Sequence, residues 1–184
     1  NGSFESGQSP WVVTSGSGSV GTGFAVDGTY NFFLQYTGGS YAQVEQQVDY
    51  IVPGSSYTLS FAAGTHDPSK SHYMRFEFYN ASGGLISGTN SGEINFDVDN
   101  APGLQGYTLT ATAPAGTSYL KVIGRATGDY LKLDAVCLVG PQACTGSITG
   151  LVFENIVGGS DLSFSNGGTY ALKNLIDKYL LKAE

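Results

Sequence analysis

Short runs of alternating apolar and polar residues, each soon broken by Gly, Pro, Asn or Ser, leave this chain little choice but β-structure. Wound into a helix, such a run would scatter its apolar side chains around the axis, whereas a strand gathers them on one face. Ten runs read as strands: 10–14, 22–26, 29–36, 41–50, 56–63, 72–79, 92–98, 105–113, 118–125 and 130–139. That many short strands, separated by turn residues, predict an all-β sandwich of two antiparallel sheets over residues 1–139.

Alternation also divides three strands into faces. Met74, Phe76 and Phe78 share one side, with Tyr73, Arg75, Glu77 and Tyr79 on the other. Ala42, Val44, Gln46 and Val48 oppose Gln43, Glu45, Gln47 and Asp49. Leu120 and Val122 oppose Tyr119, Lys121, Ile123 and Arg125. Such a polar face is commonly just the wet side of an antiparallel sheet. Three of them, one rich in amides and two mixing tyrosine with guanidinium, in a chain only 12% charged, point instead to a surface with work to do.

Composition narrows the partners. With 27 glycines and 22 Tyr plus Phe among 184 residues, the profile is that of an extracellular β-protein, secreted or displayed at a cell surface. A formal charge of −7 with eight scattered basic residues excludes a nucleic-acid backbone as the expected partner. No run of about 18 apolar residues is present, so no membrane insertion by a helix is expected. The first residue is Asn1 rather than Met, which reads as a chain whose leader, if it had one, has been removed.

The chain opens Asn1-Gly2-Ser3-Phe4-Glu5 and carries Leu133-Asp134-Ala135-Val136-Cys137-Leu138 where the last strand is expected. These two segments resemble the ends of carbohydrate-binding modules of family 4 and of its family 9 and family 22 relatives. The resemblance covers residues 1–139 and implies a jelly-roll sandwich that binds polysaccharide or oligosaccharide without catalysis. It further implies a structural calcium, Ca2+, held by Glu5 and Asp134 and by the loop around Asp27 and Gly28. Carboxylates and loop carbonyls are the oxygen donors that this hard cation takes. Without the resemblance, Glu5 and Asp134 would read as ordinary carboxylates at strand ends.

A sugar surface needs aromatic rings for the CH faces of the ring and amide or charged groups for its hydroxyls. The expected ligand-binding residues are Gln43, Glu45, Gln47, Tyr73, Arg75, Glu77, Tyr79, Tyr119 and Arg125. Gln47 and Arg75 stand where the resembling modules carry a Gln or Asn and an Arg. Tyr119 and Arg125 depart from positions where several relatives use Gln, so the preferred sugar can differ from cellulose or xylan. Trp11, in an apolar run after Pro10, is expected at the edge of the core. His66 and His72 flank a turn-rich segment, match no common zinc spacing and are expected to be solvated.

No motif places a nucleophile, a metalloprotease helix or a phosphate loop. Glu45 and Glu77 form the one acidic pair worth weighing for glycoside hydrolysis. Arg75 beside Glu77 would keep that carboxyl ionised and a poor general acid, so the expectation is no enzyme. The competing reading is a structural or protein-binding spacer of a large bacterial surface adhesin with no sugar site.

Beyond Val139 the texture changes. Residues 140–147 have linker composition, and 148–184 read either as a partial second β module or as strands docking on the first domain. Their pattern weakly resembles the immunoglobulin-like repeats of bacterial adhesins. The chain is therefore expected to be one part of a larger multidomain protein. Cys137 and Cys144 are close enough in sequence for a small disulfide in an oxidising compartment, or are two free thiols.

Overall fold

Alternation becomes two five-stranded sheets. The computed structural model describes residues 1–100 and 103–141. Most of the expected linker, the expected second module at 148–184 and Cys144 lie outside the described residues, while Cys137 is exposed on the last strand.

The strands are β1 (Val12–Ser15), β2 (Ser17–Thr22), β3 (Tyr30–Gln35), β4 (Ala42–Asp49) and β5 (Ser56–Thr65). There follow β6 (His72–Tyr79), β7 (Leu85–Asn90), β8 (Gln105–Thr112), β9 (Tyr119–Ala126) and β10 (Tyr130–Val139). One sheet has the order β1-β4-β9-β6-β7 and the other β2-β3-β10-β5-β8, and all their ladders are antiparallel. No α-helix occurs among the described residues, and the architecture is the jelly-roll β-sandwich that the alternation and the resemblance predicted.

The inner faces meet as expected. Met74, Phe76 and Phe78 from β6, Val44 from β4 and Leu120 from β9 pack with Phe32, Leu34, Leu131 and Leu133 of the opposing sheet, all essentially inaccessible to water. Such burial removes about 25 cal/mol per Å2 of apolar surface from water and dominates the stability of a sandwich. Gly124 belongs to this layer as well. A Cβ there would stand 3.0–3.3 Å from Leu133, Val44 and Met74, so the glycine lets the sheets close.

Two expected strands move. The run 22–26 shifts to β2, because Gly23 and Phe24 both take positive φ (97° and 65°) and turn the chain out of the sheet. The run 92–98 is not a strand. Ile94 and Val98 are buried and Phe96 O accepts the Thr65 amide at 2.9 Å, but the segment makes only one isolated bridge, Thr65 to Asp97, before a 3-10 turn at Val98–Asn100. Its alternation reflects burial without a ladder. The strand that completes the sheet is β7, whose Leu85 and Ile86 are exposed. It is an edge strand paired to β6 alone, so nothing imposes an apolar face on it.

The opening pentapeptide closes one corner of the sandwich. Gly2 O accepts the Val136 amide at 3.0 Å, and a Cβ on Gly2 would stand 1.8 Å from Val136 O, so only glycine brings the segment this near to β10. Phe4 then enters the core against Phe32 (5.3 Å between centroids) and Trp11 (5.9 Å). Trp11 is 4% exposed and donates from Nε1 to Asn1 O, which makes it a core residue as its run implied.

Candidate functional site

Register, more than proximity in sequence, assembles the site. β9 lies between β4 and β6, and antiparallel pairing lines their outward residues up in rungs. Gln43, Arg125 and Tyr73 share one rung, and Glu45, Ile123 and Arg75 the next. Gln47, Lys121 and Glu77 form the third, and Asp49, Tyr119 and Tyr79 the fourth. All nine side chains expected to bind ligand therefore fall on one outer sheet face within four consecutive rungs. Neighbouring strands sit about 4.8 Å apart, so every such side chain can reach its neighbours across the ladder.

They are tied together. Arg125 Nε donates to Gln43 Oε1 at 2.7 Å, and Gln43 Nε2 donates to Glu45 Oε2 at 2.7 Å. Lys121 Nζ meets Glu45 Oε1 at 2.6 Å. Arg75 Nε donates to Glu77 Oε1 at 2.7 Å and its Nη1 to Asn90 Oδ1 at 2.6 Å, while Arg125 Nη2 approaches the same Glu77 oxygen at 3.6 Å. Tyr79 donates its hydroxyl to Glu77 Oε2 at 2.5 Å. Gln47 sits apart from this chain of contacts and bonds Asp49 instead. In the middle of the face lies Ile123, fully buried although it points outward, flanked in register by Glu45 and Arg75.

The rings bracket this network. Tyr79 and Tyr119 stack with planes 4° apart and centroids at 5.0 Å, and Lys121 Nζ stands 5.5 Å from the Tyr79 centroid. At the opposite end the Arg125 guanidinium lies over Tyr41, 4.4 Å from its centroid. A shallow depression lined by Thr14, Ser15, Ser40, Tyr41, Gln43 and Glu45 extends the face to the β1 edge.

Electrostatics follow from the packing. Burial pushes the Glu77 carboxyl up, but hydrogen bonds from Tyr79 and Arg75 and the charges of Arg75 and Arg125 outweigh it and hold Glu77 below the usual carboxylate range. The Tyr79 phenol is raised by burial and by its bond to Glu77. Glu77 is thus an anion locked between two guanidinium groups, and Glu45 is paired with a lysine. An acid of glycoside hydrolysis has to carry a proton, which the setting of Glu77 disfavours.

Sequence reasoning left out five members of the face. Asn90 was hidden because β7 has no apolar pattern, and Lys121 and Asp49 were placed on the outer faces but not selected. Tyr41 opens the expected run 41–50 on the parity of Gln43 and was not selected, and the observed strand begins one residue after it. Gly88 was equally silent, yet a Cβ there would stand 2.0 Å from Arg75 Nη2, so the bare backbone of β7 is the surface on which the guanidinium lies.

Glu5 and Asp134 converge on the loop expected of them. Asp134, fully buried at a β-bulge of β10, accepts the amides of Val26 (2.7 Å) and Asp27 (3.0 Å) on Oδ2 and that of Ala135 (2.7 Å) on Oδ1. Exposed Glu5 accepts the amides of Thr29 (2.8 Å) and Tyr30 (2.7 Å) on Oε1. Gly28 lies between, at φ 83°, where a Cβ would meet the Glu5 carboxyl at 2.4 Å. Among the described residues no cluster of three or more Asp, Glu, His and Cys side chains forms. Glu5 Oε2 is without a partner there, and Asp27, next to Gly28 in the chain, is exposed.

The histidines correct an expectation. His72 is not solvated but fully buried at the start of β6, its Nε2 within 2.8 Å of Gly128 O and 3.3 Å of Thr65 Oγ1. His66 pairs with Asp99 at 2.7 Å. It also edges against Phe24 and Tyr130 in an aromatic group on the other sheet, where Lys132 Nζ lies 4.5 Å from the Phe33 centroid.

The model of a family described as "Domain of unknown function (DUF7850)" matches residues 11–138. No curated protein sequence matches the chain. Among solved structures, a family 16 carbohydrate-binding module superposes with a TM-score of 0.57 at 20% identity, covering 76% of this chain and 96% of that one. The first family 22 xylan-binding domain of Paenibacillus barcinonensis Xyn10C gives 0.58 at 14% identity, covering 77% and 93%. The enzymatically active domain of bacteriophage CBA120 tailspike protein 4 gives 0.59 at 17% identity, and there this chain spans 76% of itself but only 21% of the tailspike chain. The fold is that of carbohydrate-binding modules. No helix among the described residues is long and apolar enough to cross a membrane.

Proposed function

The chain belongs to the DUF7850 family of domains, and from its site we propose non-catalytic binding of a polysaccharide by the outer face of the β1-β4-β9-β6-β7 sheet. One observation carries this reading: nine side chains of sugar-binding type, drawn from three strands, fall on four adjacent rungs and are joined there by hydrogen bonds and ion pairs. A mere spacer has no need to fix two arginines, a lysine and a stacked pair of tyrosines on an open sheet face. Sugar CH groups would pack on Tyr73, Tyr79 and Tyr119, and hydroxyls would take hydrogen bonds from Arg75, Arg125 and Gln47. Modules of the same fold are described as xylan-binding, which supports a glycan here without naming it. Pairing of both Glu45 and Glu77 with cations supports binding without hydrolysis. The low charge and high glycine content further support a role outside the cell, as one module of a larger protein.

The proposal retains a structural calcium beside Glu5, Asp134, Asp27 and Gly28. Hard oxygens are present in Glu5 Oε2 and the Asp27 carboxylate, and a bound ion would further anchor the 26–30 loop. Excess EDTA should then lower the melting temperature, and an unchanged midpoint would remove the ion from the proposal.

Native gels cast with β-glucan, xylan, mannan or pectin test the binding itself. At least one polymer should retard the protein, and Arg75→Ala and Tyr79→Ala should each abolish the retardation. If no polymer retards it and neither substitution matters on a broad glycan array, the spacer reading replaces this one.

A further inference from the structure

We propose that the glycan taken by this face is acidic, with a uronate carboxylate seated across the Arg75 and Arg125 guanidinium groups. This rests on the glycan-binding reading above and adds the class of sugar. Charge distribution points to it first. The described residues contain five basic side chains (Lys70, Arg75, Lys121, Arg125 and Lys132), and three of the five stand on three consecutive rungs of this one face, in a chain of formal charge −7. Those rungs hold only two carboxylates, Glu45 and Glu77, so one positive charge is uncompensated where Ile123 excludes water from beneath. Asp49, on the fourth rung, is bonded to Gln47 at the exposed end of the face.

The position of the surplus is specific. Lys121 is matched by Glu45 at 2.6 Å, whereas both arginines lean on one oxygen of Glu77, at 2.7 and 3.6 Å. Two guanidinium groups therefore share a single counter-ion. Donors are left over as well. Arg75 spends Nε on Glu77 and Nη1 on Asn90, leaving Nη2 over Gly88 without an acceptor among the described residues. Arg125 spends Nε on Gln43, and its Nη1 has no acceptor among the described residues. A planar carboxylate supplies two acceptor oxygens and the missing negative charge, which suits the guanidinium fork, whereas a neutral hydroxyl supplies neither the second oxygen nor the charge. Neighbouring sugar rings would reach Tyr73 on one side and the Tyr79–Tyr119 stack on the other.

Isothermal titration and affinity gels with the unaltered chain test this, using polygalacturonate and glucuronoxylan, the same polymers after reduction of their carboxyl groups to alcohols, unsubstituted xylan, and dextran sulfate. Affinity for a uronate polymer should fall about tenfold or more on carboxyl reduction. It should also weaken as salt rises from about 0.01 to 0.15 M, which shortens the screening length from about 30 to about 8 Å. Arg125→Gln should erase the preference for the unreduced polymer, and Arg125→Lys should retain part of it. Equal binding of reduced and unreduced polymers overturns the inference while leaving glycan binding intact. Equal binding of dextran sulfate overturns it in favour of generic polyanion capture. Retardation by none of the polymers, neutral ones included, removes the underlying reading too.

Discussion

Replacing Asp134 with Asn changes no volume and removes one charge, yet the structure makes it a severe substitution. Three backbone amides depend on this carboxylate: Val26 and Asp27 on Oδ2, Ala135 on Oδ1. An amide side chain has one acceptor, so whichever way it turns, an NH2 group faces at least one backbone N–H. In the better rotamer the Asn oxygen keeps the two loop amides. Each bond loses its charge assistance, about 1 kcal/mol apiece, and the Ala135 amide is left facing a donor at about 1–3 kcal/mol. Exposure of Val26 and Asp27 lets water repair part of the loss, which places the expected cost at about 3 kcal/mol. For a domain of this size that lowers the melting temperature by about 10 °C. Urea titration followed by the fluorescence of Trp11, the single tryptophan of the chain and one buried against Phe4, measures it directly. Glu5→Gln, at an exposed position, should cost less than about 1 kcal/mol in the same assay. If Asp134→Asn also costs less than about 1 kcal/mol, the loop is anchored by other contacts and the reasoning is wrong.

Three further outcomes are expected. Gly88→Ala should weaken glycan binding with little change in melting temperature, because the added Cβ meets only the far end of the flexible Arg75 side chain; titration alongside thermal melting separates the two effects. Gly2→Ala should do the reverse, cutting stability by several kcal/mol because its Cβ meets the Val136 backbone at 1.8 Å, as urea melts would show. Glu77 is held below its ordinary value of 4.5, so its stabilising contribution is complete above about that pH and is lost as pH falls through the lower folded value. Glu77→Gln should therefore flatten the acid side of the stability profile below pH 4.5, a comparison of melts across pH that fails if the two profiles stay parallel.

How legible the molecule is in its sequence depends on whether a residue's role is periodic. Met74, Phe76 and Phe78 against Tyr73, Arg75, Glu77 and Tyr79 is a period-two statement, and the outer face could be read from it before the strands were paired. The expected site residues meet on one face because burial imposes register. Asn90 and Gly88 could not be found this way, since an edge strand paired on one side has no face to hide. The 92–98 segment shows the opposite failure: Ile94 and Val98 are buried in a segment that makes one isolated bridge and no strand, and burial imitates alternation without a ladder. His72 was misread because the turn residues before it suggested a loop, whereas Thr65 and Gly128 supply the hydrogen bonds that let an imidazole begin a buried strand. Glu5 and Asp134 were legible as a pair only through the resemblance of the chain ends; the amides they accept belong to a loop more than 20 residues from one and more than 100 from the other.

The mutual bonding of Arg75, Glu77, Lys121 and Arg125 has a consequence for the manner of recognition. Long charged side chains each forfeit up to about 2 kcal/mol of rotamer freedom when they are fixed. On this face most of that loss accompanies folding, before any ligand arrives. A sugar chain then meets a stiff, preorganised lattice and need not order it, so contacts that are individually weak retain more of their strength. Loosening the lattice, as Gly88→Ala should do by displacing one guanidinium, would be felt as faster ligand departure more than as slower arrival.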